Sequence, residues 1–502
     1  MKCDYWFFKV LMSLVLFTSW RSYAGPNDID FVLGARPMIQ GATSESETQF
    51  NVLIPRLKLK STVAVVVERG QPLPQDIQGF KAFKKFISPQ ESHIFQDKLK
   101  LAHWGVKKFK FKGLKINKKY LLVVFELGKY FKKVDQREFE MVDLSRKTFK
   151  LALGSCMSDD FSFEGIRKSI WSQVEKQKPD LLILSGDVVY VDSFDFVARN
   201  SATDLDIWLR YINTMRVTPL YSLKKLIPVL ATWDDHDMVT NNSHKDTKNK
   251  EAALRAFQVF FGSEPIDRVY KKGKTGVMSV FKTKSQSIYL MDGRFFREEP
   301  FIAKTTGEVL NDKKDYYDKK NKKKHVKLGA YSAWGQHQHQ WLINELIKEP
   351  QPSWIVNGFQ FFGNAFISKT KAKNGSVKVK RVNESIQDDH SEHFGNIVRD
   401  LKKVPTPVAF MSGDIHASEV LKIEKEKLGY ETLEVTSSPV HSYIYGAVDE
   451  LFPNKRRIMG KKDYNVIFVE STAQEQGLTV TLKAVNYLGK TLFSLKDFKI
   501  QK

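Results

Sequence analysis

Two patterns of apolar and polar positions divide the chain near residue 145. Before that point, short apolar-rich segments such as "STVAVVVE" (61–68) and "KYLLVVFEL" (119–127) alternate with turns rich in Gly, Pro, Ser and Lys. Short strands at turn-punctuated spacing are typical of antiparallel β-proteins. We therefore predict an N-terminal β-sandwich of the immunoglobulin or fibronectin type over residues 25–145.

Beyond the sandwich, the pattern changes to strands that alternate with helices. "FKLALGSC" (149–156) and "PDLLILSGD" (179–187) are typical of buried strands, and "EGIRKSIWSQVEKQ" (164–177) places its apolar residues on one helical face. A strand, a helix and a strand in this length form a crossover, which makes the two strands parallel. The sequence therefore predicts an α/β domain over residues 146–502.

Polar side chains follow the predicted strands of this α/β domain. They are Cys156, Asp187, Tyr190, Asp234 to Asp237, Arg294, Asn357, Asp414 and His416. In sheets of this kind, ligands bind beyond the carboxyl ends of the strands, where the loops meet. Carboxylates and a thiolate at one edge repel each other unless cations neutralise them. We therefore predict a metal centre in which Asp187 bridges two ions.

Each of these residues also has a structural interpretation when it is taken alone. Asp187 would be a helix cap, Tyr190 a core aromatic residue and His416 a hydrogen-bonded histidine. The joint pattern favours the metal centre, because independent caps need not place Cys, Asp, Tyr, His and Asn at successive strand ends. The histidines of "QHQHQ" (336–340) are predicted to lie on solvated helix surface, since alternate helical positions face different directions.

The first residues have the features of a secretory signal. Lys2 and Lys9 flank an apolar stretch that is too short to span a bilayer, and "SYA" precedes Gly25. We expect cleavage of residues 1–24 and export to a periplasmic, extracellular or cell-surface location; an uncleaved N-terminal anchor is the alternative. Cys156 is then the single cysteine of the mature chain, and either burial or a metal ion has to account for it.

The composition favours anionic partners. Lys and Arg total 80 against 57 Asp and Glu, a formal net charge of +23. Such an excess favours anionic polymers, phospholipid surfaces and nucleic acid. The run "KKDYYDKKNKKKHVK" (313–327) carries part of the charge, and a solvated loop is its simpler interpretation. No zinc-finger spacing, helix-turn-helix signature or RNA-binding motif accompanies it, so specific recognition of nucleic acid is not predicted.

The motifs at the strand ends also resemble those of a known family. In chain order they are "GSC" (154–156), "GDVVY" (186–190), "WDDHD" (233–237), "NN" (241–242), "MDGR" (291–294), "WGQHQHQWL" (334–342), "GDIH" (413–416) and "SSP" (437–439). This ordered set, over roughly residues 146 to 445, resembles the alkaline phosphatase D family of the calcineurin-like metallophosphoesterase superfamily. The resemblance implies a β-sandwich followed by a core of two sheets flanked by helices (αββα). It also implies export and hydrolysis of phosphomonoesters and phosphodiesters.

The same resemblance implies two metal ions. One ion, similar to the ferric iron of the family, would be held by Cys156, Asp187, Tyr190 and His416. The second, calcium or another divalent ion that prefers oxygen ligands, would be held by Asp235, Asn241 and Asp414 together with the bridging Asp187. The family often continues "WDDHD" with "YGxND", whereas this chain has "MVTNN". The choice between Asn241 and Asn242 therefore stays open.

The resemblance also implies a catalytic acid and a substrate contact. His236 falls where the superfamily has its catalytic histidine, and Asp237 would orient it. Two cations about 4 Å apart lower the pKa of a bridging water toward 7, and the resulting hydroxide would attack phosphorus while His236 protonates the leaving group. Arg294 would neutralise a phosphoryl oxygen. A salt bridge of Arg294 with Asp292 or a neighbouring carboxylate is the alternative.

These expectations favour an exported metal-dependent phosphoesterase acting on phosphate esters. Two alternatives stay open: a non-catalytic binder of anionic cell-surface polymer, and a secreted nuclease built on the same core. A decayed site should have lost a ligand, and every expected ligand is present in the sequence. The sequence therefore favours catalysis.

Overall fold

The structure is a computed structural model. It describes residues 35–73, 76–77, 84–193, 202–262, 276–298, 309–310, 315–318, 323–327, 332–364, 367–371, 377–381, 384–444 and 453–502. The predicted signal segment, residues 1–24, lies outside these ranges. Within them, no helix is both long enough and apolar enough to cross a membrane.

Eight strands form the predicted N-terminal β-sandwich. They are β1 (Met38–Thr43), β2 (Thr48–Pro55), β3 (Thr62–Glu68), β4 (Asp76–Ile77), β5 (Glu91–Phe95), β6 (Trp104–Phe111), β7 (Lys119–Leu127) and β8 (Phe131–Glu140). One antiparallel sheet has the order β1-β2-β6-β5 and the other the order β3-β7-β8-β4. Alternate side chains, such as Phe50, Val52 and Ile54 of β2, point into a core that both sheets share. The sandwich is therefore confirmed.

The sandwich packs directly on the α/β domain. Ile39 and Leu53 join an apolar cluster that includes residues of that domain. The Asn51 side-chain amide donates hydrogen bonds to the backbone oxygens of Phe260 and Gly262, at 3.0 and 3.1 Å. The boundary near residue 145 stays a prediction.

The α/β domain contains eighteen strands and eight α-helices within the described residues. The strands are β9 (Thr148–Gly154), β10 (Leu181–Ser185), β11 (Val229–Thr232), β12 (Ser279–Lys282), β13 (Ser287–Leu290), β14 (Val309–Leu310), β15 (Asp315–Asp318), β16 (Lys323–Lys327), β17 (Ser353–Val356), β18 (Ile367–Lys371), β19 (Val377–Arg381), β20 (Val408–Ser412), β21 (Ser418–Ile423), β22 (Thr432–Thr436), β23 (Arg457–Lys461), β24 (Asn465–Gln474), β25 (Gly477–Asn486) and β26 (Thr491–Gln501). The helices are α1 (Glu164–Gln177), α2 (Asp204–Val217), α3 (Asp235–Met238), α4 (Lys250–Phe260), α5 (Gly335–Lys348), α6 (Ile386–Asp389), α7 (Ser391–Leu401) and α8 (Lys425–Leu428).

Two mixed sheets form the centre of this domain. The first has the order β11-β10-β9-β24-β25-β26, and the second the order β12-β13-β17-β20-β22-β21-β23. In the first sheet β9, β10 and β11 run parallel, and in the second β13, β17, β20 and β22 do so. The carboxyl ends of the parallel strands therefore lie at one edge of each sheet, as expected from the crossovers.

The two sheets pack face to face between layers of helices. Leu153 and Ile183 of the first sheet belong to the same apolar cluster as Ile355 and Val435 of the second. Side chains on the opposite face of the first sheet contact helices α1, α2 and α4. Helices α5 and α7 contribute apolar residues to the cluster of the second sheet. This arrangement is the predicted αββα core.

The lysine-rich segment 313–327 differs from the predicted loop. Strands β15 and β16 lie in it and pair antiparallel, and β14 completes a three-stranded sheet. The register places Asp315 opposite Lys327 and Asp318 opposite Lys323. The high lysine content of the run obscured this hairpin in the sequence. The other residues of the run lie outside the described residues.

Candidate metal centre

The predicted ligands from separate strands meet at one place. Three overlapping groups have ligand atoms that all lie within 4.8 Å of one another: Cys156, Asp187 and His416; Asp187, Asp235 and His236; and Asp187, Asp234, Asp235 and Asp414. These residues follow β9, β10, β11 and β20, which belong to both sheets. Asp187 is common to all three groups. A carboxylate at this position can therefore bridge two ligand sets.

The backbone of four residues at the site adopts the left-handed conformation, which residues with a side chain rarely adopt. Cys156, Asp187, Asp414 and His416 have φ angles of 56°, 52°, 71° and 51°. Residues with side chains seldom occupy this left-handed region, and those that do cluster at functional sites. The neighbouring amides hold the turns together, since the Met157 N–H donates to the Asp187 oxygen at 2.8 Å. The strained turns aim their side chains at a common point.

Two glycines allow the loops to approach Asp234. A Cβ atom on Gly186, whose φ is +91°, would lie 2.5 Å from the Cβ of Asp234. A Cβ atom on Gly358 would lie 2.3 Å from the Asp234 Oδ1 atom. Neither contact is possible in a folded protein, so any side chain at these positions would displace the Asp234 carboxylate.

The first group combines a thiol, a carboxylate and an imidazole, and the phenol of Tyr190 lies beside it. The Cys156 Sγ atom lies 3.6 Å from the Asp187 Oδ2 atom, and the Tyr190 hydroxyl lies 3.5 Å from the His416 Nε2 atom. The His416 Nδ1 atom forms a hydrogen bond with the Tyr443 backbone oxygen, which only a protonated Nδ1 can donate. Burial lowers the pKa of His416 to about 4, so its ring is neutral. Its Nε2 lone pair is therefore free for a metal ion.

Two serines support the sulfur and phenol ligands. The Ser438 hydroxyl donates a hydrogen bond to the Cys156 Sγ atom at 3.0 Å. The Ser442 hydroxyl donates one to the Tyr190 oxygen, also at 3.0 Å. Hydroxyl donors stabilise the negative charge that a thiolate and a phenolate carry as ligands. Neither serine was predicted from the sequence to support a ligand, although Ser438 lies in the "SSP" motif.

Metal ligands of this kind have to be deprotonated, but burial raises the pKa values of the thiol and the carboxyl groups in the cluster. It raises the pKa of Cys156 to about 12 and the pKa of Asp234 to about 6. It also raises the pKa values of Asp187 and Asp414 well above the ordinary value, and neighbouring carboxylates raise them further. These groups would hold protons without a compensating positive charge. A bound cation supplies that charge, so the donor set fits metal ions.

His236 has an acidic partner, but it is not the predicted one. The His236 Nδ1 atom lies 2.7 Å from the Asp192 Oδ1 atom, and the His236 ring stacks on Tyr190 with centroids 4.4 Å apart. Asp237 instead accepts the backbone N–H groups of Val189 and Asp234, at 2.7 and 2.9 Å. The predicted role of Asp237 in orienting His236 is therefore wrong, because its carboxylate caps α3.

Carboxylates also determine the protonation of His236. Burial lowers its pKa, but the charges of Asp235 and Asp187 and the hydrogen bond to Asp192 outweigh that effect. The pKa of His236 is consequently raised well above its usual value of 6.5. This shift favours the protonated imidazole, which a proton donor requires.

Arg294 is placed in a buried ion pair. Its Nε and Nη2 atoms lie 2.5 and 2.8 Å from the two carboxylate oxygens of Asp234. Its Nη1 atom lies 2.7 Å from the Glu384 Oε2 atom, and the side chain has no exposed surface. The carboxylate of Asp292 contacts the backbone N–H of Arg294, at 2.9 Å, and not its guanidinium group. The structure thus matches the salt-bridge alternative with a neighbouring carboxylate, rather than the predicted contact with a phosphoryl oxygen.

The two candidate asparagines both lie beside the site. The Asn241 N–H donates to the Asp192 Oδ2 atom at 3.1 Å, and the Asn242 N–H donates to the Asp235 Oδ2 atom. Both residues are exposed. The backbone N–H groups of Asn241 and Asn242 therefore hold this segment against Asp192 and Asp235. The assignment of Asn241 rather than Asn242 as a ligand stays a prediction.

The "QHQHQ" motif is only partly on the solvated surface. His337 is exposed as predicted, but Gln338 and His339 are buried. Gln338 accepts the Asp292 N–H at 2.6 Å and donates to the Asp292 oxygen at 2.9 Å. The prediction is wrong for these two residues. Gln338 packs against the loop after β13, and His339 packs against His393 of α7.

Asp192 and Glu384 are functional candidates that were not predicted from the sequence, and Asp234 was predicted only as one of the polar residues at the strand ends. Asp234 belongs to the "WDDHD" motif, and Asp192 follows "GDVVY" by two residues. Their positions in or beside these motifs could therefore have identified both residues as candidates. Glu384 lies in a segment without such a motif, so its contacts with Arg294 and Arg297 in the structure identify it.

Comparison with known proteins places this site in a family. A family model described as PhoD-like phosphatase matches residues 151–477. The fold is similar to a solved structure described as PhoD, with a TM-score of 0.59, 15% identity and coverage of 94% of both chains. It is also similar to the purple acid phosphatase PPD1 from seeds of yellow lupin (Lupinus luteus), with a TM-score of 0.54, 12% identity and coverage of 92% of this chain and 73% of that one.

No curated protein matches the sequence significantly. At such low identities the two structural matches show a shared metallophosphoesterase-like α/β fold. The family model, in contrast, spans well over half of the chain and includes all the ligand groups described above. The chain belongs to the PhoD-like phosphatase family.

Proposed function

We propose that this chain is an exported, metal-dependent phosphoesterase that hydrolyses phosphomonoesters, phosphodiesters or both. The observation that carries the proposal is the position of Asp187, which is buried and shared by three groups of potential ligands. Membership of a phosphatase family supports the reaction type. The two ligand sets around Asp187 are the arrangement that a two-metal hydrolase needs.

The chemistry of the donors supports two different metal ions. Cys156, Tyr190 and His416 offer sulfur, phenol and imidazole ligands, which suit ferric iron. The second group, Asp234, Asp235 and Asp414 with Asp187, offers oxygen ligands, which suit calcium or another divalent ion. When bound, such ions stabilise negative charge on a phosphoryl group and lower the pKa of a water.

The protein's own residues would bind the ester and transfer a proton. His236 is held by Asp192 through Nδ1, which leaves its Nε2 atom to protonate the leaving group. Proton transfer of this kind contributes about 10² to 10⁴ to the rate. Arg294 supports the site indirectly, because its bidentate contact orients the Asp234 carboxylate.

Chromogenic esters test the reaction and the metal requirement together. We expect the mature protein to hydrolyse p-nitrophenyl phosphate, bis(p-nitrophenyl) phosphate or both, and to lose activity with a chelator. Asp187→Asn should lower kcat/KM by more than about 100-fold, since it removes the shared ligand. Asp246→Asn is the matched control, because its side chain is 68% exposed. Full activity of Asp187→Asn after exhaustive chelation would refute the proposal.

Metal analysis tests the assignment of the ions. We expect about one iron per chain in protein purified without added metal, and loss of that iron in Cys156→Ser. Full activity of protein that contains no iron would refute the iron assignment while leaving the reaction itself in place.

Export and anionic partners need separate experiments. N-terminal sequencing of the mature protein should begin at Gly25, and fractionation should place it outside the cytoplasm. Neutralising the lysines of segment 313–327 should weaken retention on a polyanionic support. Unchanged retention would argue against an anionic polymer, phospholipid or nucleic acid as a partner of this segment.

A further inference from the structure

A polar pocket lies between helices α5 and α7, apart from the metal centre. Its volume is about 420 Å³, within the range of pockets that bind small molecules. The walls carry His339 and Asn344 from α5, and His393, Asn396 and Asp400 from α7. None of the metal-ligand candidates lines it. The pocket is therefore a distinct site.

Two imidazoles in this pocket have unused nitrogen atoms. His339 is 8% exposed, and its Nε2 atom has no hydrogen-bond partner among the described residues. The Nε2 atom of His393 is likewise buried without such a partner. The two rings lie 5.3 Å apart. The His339 Nε2 atom is 3.4 Å from the Asp400 Oδ2 atom, but the two are not hydrogen-bonded.

Leaving such atoms unpaired is costly. A buried polar atom without a partner destabilises the folded state, and most buried polar atoms in native proteins are therefore paired. Two unpaired imidazole nitrogens on facing helices thus point to a ligand that pairs with them.

The hydrogen bonds of His393 determine what that ligand must offer. Its Nδ1 atom accepts the Ala333 N–H at 3.0 Å, so in the neutral ring the proton is on Nε2. Burial lowers the pKa of His393 to about 4, which keeps the ring neutral at pH 7. A metal ion would need the Nε2 lone pair, and this tautomer has none to offer. The ligand must instead present a hydrogen-bond acceptor.

The charges of the residues that line the pocket disfavour a negatively charged ligand. Among the described residues that line the pocket, three are acidic, Glu298, Glu392 and Asp400, and one is basic, Arg399; Asp400 also pairs with Lys403 at 3.0 Å. An anionic ligand would meet this excess of carboxylates, whereas a hydroxyl group can accept from His393 and donate to a carboxylate. The side-chain amides of Asn344 and Asn396 can both donate hydrogen bonds to hydroxyl groups and accept hydrogen bonds from them. We propose that this pocket binds a neutral polyhydroxylated small molecule of the sugar or polyol class.

Calorimetry with the mature protein and three probes tests the proposal. The probes are D-glucose, maltose and myo-inositol, each at up to 50 mM. We expect at least one to bind, and we expect His393→Phe, which removes the Nε2 donor, to raise its Kd by at least about tenfold. Asn396→Leu, on an accessible part of α7, should also weaken binding if His393→Phe does not fold. His337→Gln is the matched control, because His337 is exposed on the same helix as His339.

Three results would overturn the proposal. The first is that no probe binds at 50 mM, and the second is that the variants leave the Kd of the probe unchanged. The third is that inorganic phosphate binds more tightly than every probe and that His393→Phe abolishes this binding. Nitrogen-15 histidine spectra give an independent readout. The Nε2–H tautomer is expected for His393, and the Nδ1–H tautomer would contradict the argument. Ester hydrolysis by these variants should match the wild type, so failure here is distinguishable from failure of the proposed function.

Discussion

The Nδ1 atom of His236 lies 2.7 Å from the Oδ1 atom of Asp192, and this contact joins the loop after β10 to helix α3. Asp192 also accepts the Asn241 N–H through its other oxygen, at 3.1 Å. One carboxylate thus holds the candidate proton donor and the segment that carries the candidate asparagine ligands. The orientation of His236 depends on it.

Asp192→Asn should lower kcat most for esters with poor leaving groups. The amide keeps an acceptor for Asn241 but removes one of the negative charges that raise the pKa of His236. The loss should stay within the factor of about 10² to 10⁴ that a general acid contributes. An alkyl phosphate should show a larger decrease than p-nitrophenyl phosphate, whose leaving group needs less protonation. Equal decreases for both esters would contradict the role of His236 as the acid.

Asp237→Asn provides the contrast to that variant. Its carboxylate is buried and accepts two backbone N–H groups that hold α3 and the loop after β10. We therefore expect a lower melting temperature without a dependence on the leaving group. A selective loss with alkyl phosphates would restore the catalytic role that the sequence predicted for Asp237.

Arg294→Met should reduce stability rather than substrate affinity alone. The substitution leaves the buried Asp234 carboxylate without its cation, whereas Glu384 keeps its contacts with Arg297. Breaking a buried ion pair costs about 3–5 kcal/mol. Urea unfolding measures this cost. Lys403→Met, at an exposed pair with Asp400, should change stability by less than about 1 kcal/mol. An increased KM with an unchanged free energy of unfolding would show instead that Arg294 contacts the substrate.

Ser438→Ala should alter the electronic spectrum of the proposed iron site. The change removes a hydrogen bond that stabilises negative charge on the Cys156 sulfur. The sulfur then donates electrons more readily, so its charge-transfer absorption should move to longer wavelength. Ser442→Ala should shift the contribution of Tyr190 in the same direction. A spectrum that neither variant changes would contradict the assignment of these two ligands.

His441 should make stability depend on pH. Its Nδ1–H donates to the Ser158 oxygen at 2.9 Å, and its Nε2 atom accepts from Trp171 at 3.1 Å. Burial lowers the pKa of His441 to about 3, so protonation below the unfolded value of about 6.5 favours the unfolded chain. Protonation of His441 in the unfolded chain should therefore lower the free energy of unfolding by about 1.4 kcal/mol when the pH falls from 7.5 to 5.5.

His441→Gln tests that pH dependence, because glutamine stays neutral and retains a donor and an acceptor. Urea unfolding at both pH values should show a smaller difference in the variant than in the wild type. An identical difference would place the source of the pH dependence elsewhere.

The order of elements and the convergence of ligands could be predicted from the sequence, because both follow from local patterns. Apolar runs of strand length mark the strands, and parallel strands bring their carboxyl ends to one edge. Cys156, Asp187 and His416 could therefore be expected to meet, and their ligand atoms do lie together. Motif order narrowed the search to a single family.

The partners of individual polar side chains depended on the tertiary structure. The spacing in "WDDHD" does not show that Asp237 caps α3 while His236 turns to Asp192, or that Arg294 pairs with Asp234 sixty residues earlier. Nor does it show that His339 is buried and His337 exposed. Local patterns determine which face of an element is buried, whereas distant segments, brought together only by packing, determine what each polar group there contacts.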